Sequence, residues 1–302
     1  MIRIIANDGM DKLAAKKLIT LGYDVDMTHY EGTDLDTQIL DCDVFIVRSA
    51  TKVRKDLIDT ALNGRLKLII RAGVGIDNID HEYAEDQGIA VRNTPNASST
   101  SVAELTLAHM FALARHIHCS NVTMRQGQWN KKLYKGFELS GKTLGLVGFG
   151  RIARATARKA AALGMKIVYT RRHGINHSYP EYDYMSLDDL LASSDFVSLH
   201  LPWSKGQQAI LGKDELAKMK PTAYVLNTAR GGAVCEEALL NALKAETIAG
   251  AGIDVFMDEP TPNEALYSHP HVSVTPHIGG STVEAQARIG EEIITLINDF
   301  FK

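Results

Sequence analysis

Two glycines, Gly148 and Gly150, stand in the run Gly148-Phe-Gly-Arg-Ile-Ala153, and their spacing is the first in the chain that suggests chemistry. Gly148 permits a tight turn, and Gly150 lets a pyrophosphate approach the backbone. A helix opening at Arg151 and Ile152 would present unpaired N–H groups and a positive dipole end to that phosphate. Ala153 stands where a third glycine is usual, and one methyl group fits where helix and strand pack. Placement gives this short pattern its weight. Leu144, Leu146 and Val147 precede it as a strand, an Ala-rich helical stretch runs to Leu163 with Gly164 as its stop, and residues 166–169 read as a second strand. Strand, glycine turn, helix and strand in this order make a dinucleotide-binding βαβ unit.

About 20 residues past the glycines, NAD-binding versions of this unit carry an Asp or Glu that bonds the adenosine ribose hydroxyls. Thr170-Arg171-Arg172 occupies that place here. Neither arginine can accept a hydroxyl proton, whereas each can pair with a 2′-phosphate, and a charge-assisted bond of this kind is worth about 1.5–3 kcal/mol. NADP is the favoured cofactor; NAD stays possible if both arginines are solvated surface groups.

The elements that must position this unit are legible as an alternation. Strands are expected over residues 2–6, 23–27, 44–47, 66–70 and 89–92, with helices over 11–21, 35–40, 55–62 and near 81–87. Such alternation implies a parallel sheet with helices on its faces. A long helix is expected from Ser98–Ser101 through to Gly127. Its apolar residues lie on more than one face, which suggests burial between domains or in a subunit interface. Residues 129–139 are basic and irregular. Further strands are expected over 196–201, 223–227, 248–254 and 272–275. Ser186-Leu-Asp-Asp189 and Ser281-Thr-Val-Glu284 read as capping boxes, and the last helix, over 282–301, is expected to pack back on the first domain. The expected fold is α/β with two doubly wound parallel-sheet domains. One is a flavodoxin-like substrate-binding domain of residues 1–93 plus 282–302; the other is a Rossmann dinucleotide-binding domain of residues 94–281. The cleft is expected between them.

A chain of 302 residues with 45% hydrophobic and 23% charged residues has enough apolar material for two such cores. Net charge −3 and a pI near 6.4 argue against a nucleic-acid or acidic-membrane surface. No apolar run approaches a membrane span, and the N-terminal residues read as a strand rather than a leader, so a cytoplasmic small-molecule protein is expected. Cys42, Cys119 and Cys235 are too scattered for a metal or redox pair and are expected to be reduced thiols. The histidine pairs at 116 and 118, 173 and 177, and 269 and 271 lack partners at ligand spacing, so no metal site is expected.

Three further stretches fall at expected strand ends, where an open parallel sheet binds ligands. They are Asn227-Thr-Ala-Arg230-Gly-Gly232, Asp254-Val-Phe-Met-Asp-Glu259-Pro260 and Thr275-Pro-His277-Ile-Gly279-Gly280-Ser281. Together with the glycine turn they resemble the D-2-hydroxyacid dehydrogenase family over essentially the whole chain. The resemblance implies a catalytic set of Arg230, Glu259 and His277. A planar guanidinium suits a bidentate hold on the substrate carboxylate and polarises the adjoining carbonyl oxygen. Imidazole can exchange a proton with that oxygen in either direction as hydride moves. Glu259 would bond the other ring nitrogen, fixing the ring and favouring its charged form. Asp254 is implied to contact the nicotinamide carboxamide. Val74, Leu201, Thr228, Ala229, Gly279 and Gly280 are expected to join Gly148, Gly150, Arg151, Ile152, Arg171 and Arg172 around the cofactor.

Substrate choice is expected in the first domain, at Val47-Arg48-Ser-Ala-Thr-Lys-Val53 and Arg71-Ala-Gly73-Val74-Gly75-Ile-Asp77-Asn78. The glycine loop can offer backbone N–H groups to a carboxylate. Arg48 and Arg71, with Lys131, Lys132 or Lys135 of a neighbouring subunit, could hold a phosphate; the alternative is that these basic residues are solvated or paired with acids such as Asp77. These stretches most resemble the D-3-phosphoglycerate dehydrogenase branch, which implies D-3-phosphoglycerate and 3-phosphohydroxypyruvate, of serine biosynthesis, as the substrate pair. Arg171 is more like the NADPH-dependent glyoxylate and hydroxypyruvate reductases, the alternative activity. A nicotinamide-sensing binding protein is the alternative of another class, though a sensor would not need the complete Arg230, Glu259 and His277 set. A homodimer formed through the helix over 101–127 is expected, and feedback through a C-terminal serine-sensing domain is not.

Overall fold

A computed structural model describes residues 1–302. Its first half alternates as the apolar runs require: β1 (Arg3–Ala6), α1 (Lys12–Thr20), β2 (Asp24–Asp26), α2 (Gly32–Leu40), β3 (Val44–Val47), α3 (Lys55–Ala61), β4 (Leu68–Arg71), α4 (His81–Asp86) and β5 (Ala90–Asn93). These strands form one parallel sheet in the order β2-β1-β3-β4-β5. All four residues of β3, VFIV, are buried, as expected for a strand covered on both faces.

The middle of the chain builds the second sheet. Its elements are α5 (Ser99–Ala114), α6 (Ile117–Arg125), β6 (Thr143–Val147), α7 (Arg151–Ala162), β7 (Lys166–Thr170), β8 (Asp183–Tyr184) and α8 (Leu187–Ser193). They continue with β9 (Phe196–Leu199), α9 (Lys213–Ala217), β10 (Tyr224–Asn227), α10 (Glu236–Lys244), β11 (Gly250–Ile253), α11 (Glu264–Tyr267) and β12 (Val272–Val274). The order is β12-β11-β10-β9-β6-β7-β8, parallel throughout. Strand order reverses beside β6, and the crevice at the C-terminal ends of β6 and β9 is where such sheets bind ligands.

The last helix, α12 (Val283–Phe300), returns to the first sheet. Ile289, Ile293 and Ile297 bury in one core with Ile4, Val44, Ile46 and Leu68, and truncating Ile293 to Ala would cost about 2–5 kcal/mol. Gly290 lets α12 close on α1, since a Cβ there would lie 2.5 Å from the Ala14 Cβ. Two compact units result, one of Met1–Ser98 with Gly280–Lys302 and one of Ser99–Gly279.

Three local expectations need correction. The helix expected through to Gly127 breaks after Ala114, and His116 takes a left-handed φ of 51° before α6 starts. The cause is long-range: the Phe137 N–H donates to the Ala114 carbonyl (3.0 Å) that would otherwise continue the helix. The apolar faces of α5 are accounted for within the second unit, where Leu107, Met110, Leu113 and Ala114 pack with Ala153, Ala157 and Leu146. The capping box expected at Ser281 is not formed; Thr282 is the N-cap and its hydroxyl accepts from the Ala285 N–H (3.1 Å), worth about 1 kcal/mol. The strand expected over 196–201 stops at Leu199, and the His200 ring turns back to the Ser198 hydroxyl (2.9 Å). The three cysteines are free thiols, and burial pushes Cys42 up to about 12.

Candidate active site

The glycine turn follows β6 directly. Gly148 has φ +91°, and a Cβ there would lie 2.4 Å from the His200 carbonyl oxygen, so backbone twist and the close approach of the β6 and β9 ends both demand glycine. Gly150 is the N-cap of α7, and a Cβ there would meet nothing within 4 Å. The Cα of Gly150 therefore faces open space just before the first N–H groups of α7, at Arg151 and Ile152. Ala153, fully buried, seats the helix on the sheet without displacing it. These residues fit a dinucleotide pyrophosphate.

Past β7 the two arginines differ. Arg171 donates from Nε to the Gly174 carbonyl (2.6 Å) and from Nη2 to the Ile175 carbonyl (3.2 Å), which orders its own turn, while Arg172 is exposed. An aromatic cluster absent from the sequence reading braces the same segment. Phe149, between the two glycines, stacks on Tyr169 at 4.0 Å and meets Tyr179 and Tyr182 edge-on. The Tyr169 hydroxyl accepts from the Asn176 N–H (2.7 Å). Its signal was the run of tyrosines at 179, 182 and 184 after an aromatic inside the glycine motif.

Arg230, Glu259 and His277 lie on the loops that leave β10, β11 and β12, which are neighbouring parallel strands and so release their loops at one sheet end. Asn227 closes β10 and braces the first loop, donating to the Arg230 carbonyl (2.8 Å) and accepting from the Ala229 N–H (3.2 Å). Arg230 is half-buried, with Nη1 on the Ala229 carbonyl (2.6 Å), and Thr228 pairs its hydroxyl with that of Thr106 (2.9 Å). Gly231 packs backbone to backbone on the next loop; a Cβ would fall 1.9 Å from Phe256 C and O. That loop is held by two carboxylates. Phe256 N–H donates to Glu259 Oε1 (3.1 Å), and Glu236 accepts from Met257 N–H (2.8 Å) and Asn263 Nδ2 (2.7 Å). Glu236 had no signal in sequence beyond its place at the start of α10, opposite a loop it meets only in the fold.

His277 has φ 53° and donates its N–H to the Asp254 (2.8 Å) and Thr275 (3.1 Å) carbonyls. Its Nδ1 lies 2.7 Å from Glu259 Oε2. A carboxylate only accepts, so Nδ1 carries the hydrogen and Nε2 is left for a reacting oxygen. Both side chains are about one-third exposed, at 35% for His277 and 33% for Glu259, which leaves the pair open to a small molecule. Asp254 is buried, and burial pushes its carboxyl up, offset by donors from Thr275 Oγ1 (2.6 Å), Ile278 N (2.8 Å) and Gly279 N (2.9 Å). Leu201 and Ala229 are partly buried against a core that includes Val147, Leu199 and Val225.

In the first unit, Arg48 follows β3 in a loop tied down by Asn78, from the stretch already singled out, and by Asp8, which was not. Asp8 accepts from the N–H groups of Arg48 (2.6 Å) and Thr51 (3.1 Å) and from the Thr51 hydroxyl (2.6 Å). Asn78 Nδ2 donates to the Arg48 (2.8 Å) and Thr51 (2.7 Å) carbonyls. Position just beyond β1 was the available clue for Asp8. Arg71 closes β4 with its guanidinium folded across Gly73, where a Cβ would lie 1.5 Å from Nη1, and the Val74 carbonyl accepts from Asn93 Nδ2. Gly280 belongs to this unit. Lys131 and Lys132 are exposed on a 3₁₀ turn (Lys131–Leu133) of the second unit. No group of three His, Cys, Asp or Glu side chains is placed to hold a metal, and no helix is long and apolar enough to cross a membrane.

A glycine turn that fits a pyrophosphate and a histidine–carboxylate pair stand on one parallel sheet, the parts that a nicotinamide-dependent oxidoreductase requires. The family model for the NAD-binding domain of D-isomer specific 2-hydroxyacid dehydrogenases matches residues 107–279. Hydroxypyruvate reductase of Thermotoga maritima is 45% identical, over 98% of this chain and 97% of that one. D-3-phosphoglycerate dehydrogenase of Methanocaldococcus jannaschii is 41% identical over 96% of this chain, which spans 56% of that protein's length. Among solved structures, an NADPH-dependent glyoxylate/hydroxypyruvate reductase of Sinorhizobium meliloti superposes with TM-score 0.87 at 27% identity, covering 100% of this chain and 95% of that one. The chain belongs to the D-isomer specific 2-hydroxyacid dehydrogenase family. Its chemistry is accordingly oxidoreduction of a D-2-hydroxy acid with a nicotinamide cofactor.

Proposed function

We propose that Arg230, Glu259 and His277 carry that chemistry, and the observation behind this reading is the 2.7 Å contact of Glu259 Oε2 with His277 Nδ1. Bound nicotinamide supplies or accepts the hydride. Arg230 holds the substrate carboxylate and draws charge toward the adjoining oxo oxygen. His277 gives that oxygen a proton from Nε2, or removes one from the hydroxyl in the reverse direction. Glu259 holds the ring in the orientation and tautomer this needs. Gly148, Gly150, Arg151 and Ile152 would hold the pyrophosphate, and Asp254 would contact the nicotinamide carboxamide.

The substrate pair we favour is D-3-phosphoglycerate and 3-phosphohydroxypyruvate. Arg48 and Arg71 at the ends of β3 and β4, with Lys131 of a neighbouring subunit as a further cation, suit a phosphate, and the 41% identity to a D-3-phosphoglycerate dehydrogenase supports this choice. Hydroxypyruvate or glyoxylate is the second reading, favoured by the 45% identity to a hydroxypyruvate reductase matched over nearly its whole length. NADP is the proposed cofactor because Arg171 and Arg172 stand where a ribose-binding acid would be needed for NAD. A homodimer is proposed through α6 and the segment after it, which leave Ile117, Val122, Met124, Trp129 and Leu133 at least half exposed. The test is kcat/KM for reduction of 3-phosphohydroxypyruvate, hydroxypyruvate and glyoxylate, each with NADPH and with NADH. Preference for the phosphorylated acid supports Arg48 and Arg71 as its phosphate site, and preference for the small acids replaces it with the second reading.

A further inference from the structure

His109 projects from α5 into the second unit's core, is 2% exposed, and has both ring nitrogens bonded. Nδ1 lies 2.9 Å from Ser273 Oγ and Nε2 lies 3.1 Å from Thr275 Oγ1. The Thr275 hydroxyl donates its one hydrogen to Asp254 Oδ1 at 2.6 Å, so it must accept from His109. Nε2 therefore carries the ring hydrogen, and Nδ1 accepts from Ser273. Burial pushes His109 down to about 4, with charge on His118 acting in the same sense, which keeps the ring in the neutral form this arrangement needs. Room for the imidazole comes from β11, where a Cβ on Gly252 would lie 2.8 Å from the His109 Cβ.

Asp254 is the other end of this chain of bonds. Its carboxylate accepts the N–H groups of Ile278 (2.8 Å) and Gly279 (2.9 Å), and its carbonyl accepts the His277 N–H (2.8 Å). His277 sits at φ 53°, a conformation that costs about 1–3 kcal/mol and persists only where the surroundings over-determine it. Asp254 supplies three of those constraints. Its Oδ1 is in turn tied to α5, through Thr275 and His109.

We infer that His109 is a positioning residue which, through Thr275 and Asp254, fixes the loop that presents His277. The inference rests on His277 as the proton-exchanging group. It implies that turnover, rather than hold on the 2-oxo acid, depends on an imidazole that touches neither substrate nor cofactor.

Steady-state kinetics of the full chain test it, with His109→Met, His109→Gln, Thr275→Val and, for reference, His277→Ala. Methionine fills the volume and breaks both bonds; kcat is expected to fall about 10–10²-fold through misplacement, with KM for the 2-oxo acid within about 2-fold. Glutamine can accept from Ser273 and donate to Thr275, and should bring kcat back to within about 3-fold of the parent. Thr275→Val cuts the same chain one link on, and the double variant with His109→Met should be no slower than Thr275→Val alone. Equal kcat in the Met and Gln variants, a KM rise without loss of kcat, or losses that multiply in the double variant would each overturn the inference. Should His109→Met not fold, an unimpaired Thr275→Val overturns it and an impaired Thr275→Val beside a competent His109→Gln supports it. Full kcat in His277→Ala would instead remove the functional reading itself, whereas an inactive His277→Ala beside unimpaired His109→Met and Thr275→Val removes only the role of His109.

Discussion

Glu259 Oε2 and His277 Nδ1 meet at 2.7 Å across 18 residues of chain, on loops that leave the adjacent parallel strands β11 and β12. The other carboxylate oxygen takes the Phe256 N–H at 3.1 Å, so Glu259 is itself oriented by the loop that carries it. Glu259→Gln keeps the size but offers Nδ1–H an amide oxygen or, flipped, a clashing donor. Its kcat is expected to fall about 10²-fold while KM for the 2-oxo acid changes little, read by steady-state kinetics. An unchanged kcat would mean the pair is structural.

Arg230 is predicted not to tolerate lysine. Its backbone carbonyl is held by Asn227 at 2.8 Å whatever the side chain, so the loop keeps that anchor in the Arg230→Lys variant. An ammonium cannot grip a carboxylate bidentately, and kcat/KM should fall about 10²-fold or more. Retained kcat/KM would move carboxylate recognition elsewhere.

Gly231 is predicted to be the least replaceable residue of the site by stability rather than by chemistry. Alanine there would place a methyl carbon 1.9 Å from Phe256 C and O, backbone atoms that cannot swing aside. The loops bearing Arg230 and Glu259 would be forced apart, at a cost of at least about 1–3 kcal/mol. Urea unfolding of Gly231→Ala measures this, and a midpoint equal to the parent's would contradict the packing.

For the cofactor, Arg171 and Arg172 should separate. Arg172→Asp is expected to weaken NADPH and favour NADH with Tm unchanged, since Arg172 is exposed. Arg171→Asp should shift preference the same way and also loosen the turn, because its guanidinium bonds the Gly174 and Ile175 carbonyls. Nicotinamide titrations of both variants decide; the same NADPH to NADH ratio in parent and variants would end the 2′-phosphate argument.

Acid stability should carry the signature of His109. Its folded value of about 4 lies below its ordinary 6.5, so between those limits the unfolded chain holds a proton that the folded chain lacks. Stability therefore falls as pH drops through this window. Asp254, raised by burial, acts in the opposite sense and is common to both proteins compared. Tm measured from pH 7 to pH 4 should decline less steeply for His109→Gln than for the parent, and equal slopes would place the buried proton deficit elsewhere.

The elements and residues readable in sequence were those governed by short-range rules. The strand, turn and helix at Gly148 followed from periodicity and glycine chemistry, and the fold class followed from alternation. Features set by partners far along the chain were not readable. The break after Ala114 depends on Phe137, the hold on the Glu259 loop depends on Glu236, and the hold on the Arg48 loop depends on Asp8. Nothing in the sequence singles out His109, whose partners Ser273 and Thr275 lie 164 and 166 residues further on. The shift of the α12 cap from Ser281 to Thr282 is a one-residue error of the kind that helix ends commonly give.

Proton exchange at His277 is the central step, and its most direct measurement is the single-turnover rate of 2-oxo acid reduction by His277→Ala with saturating reduced nicotinamide, beside the nicotinamide Kd. The predicted result is a rate about 10²–10⁴-fold below the parent with Kd within about 2-fold, because only the proton donor is removed. A rate equal to the parent's, or a loss explained wholly by weaker nicotinamide binding, would contradict it.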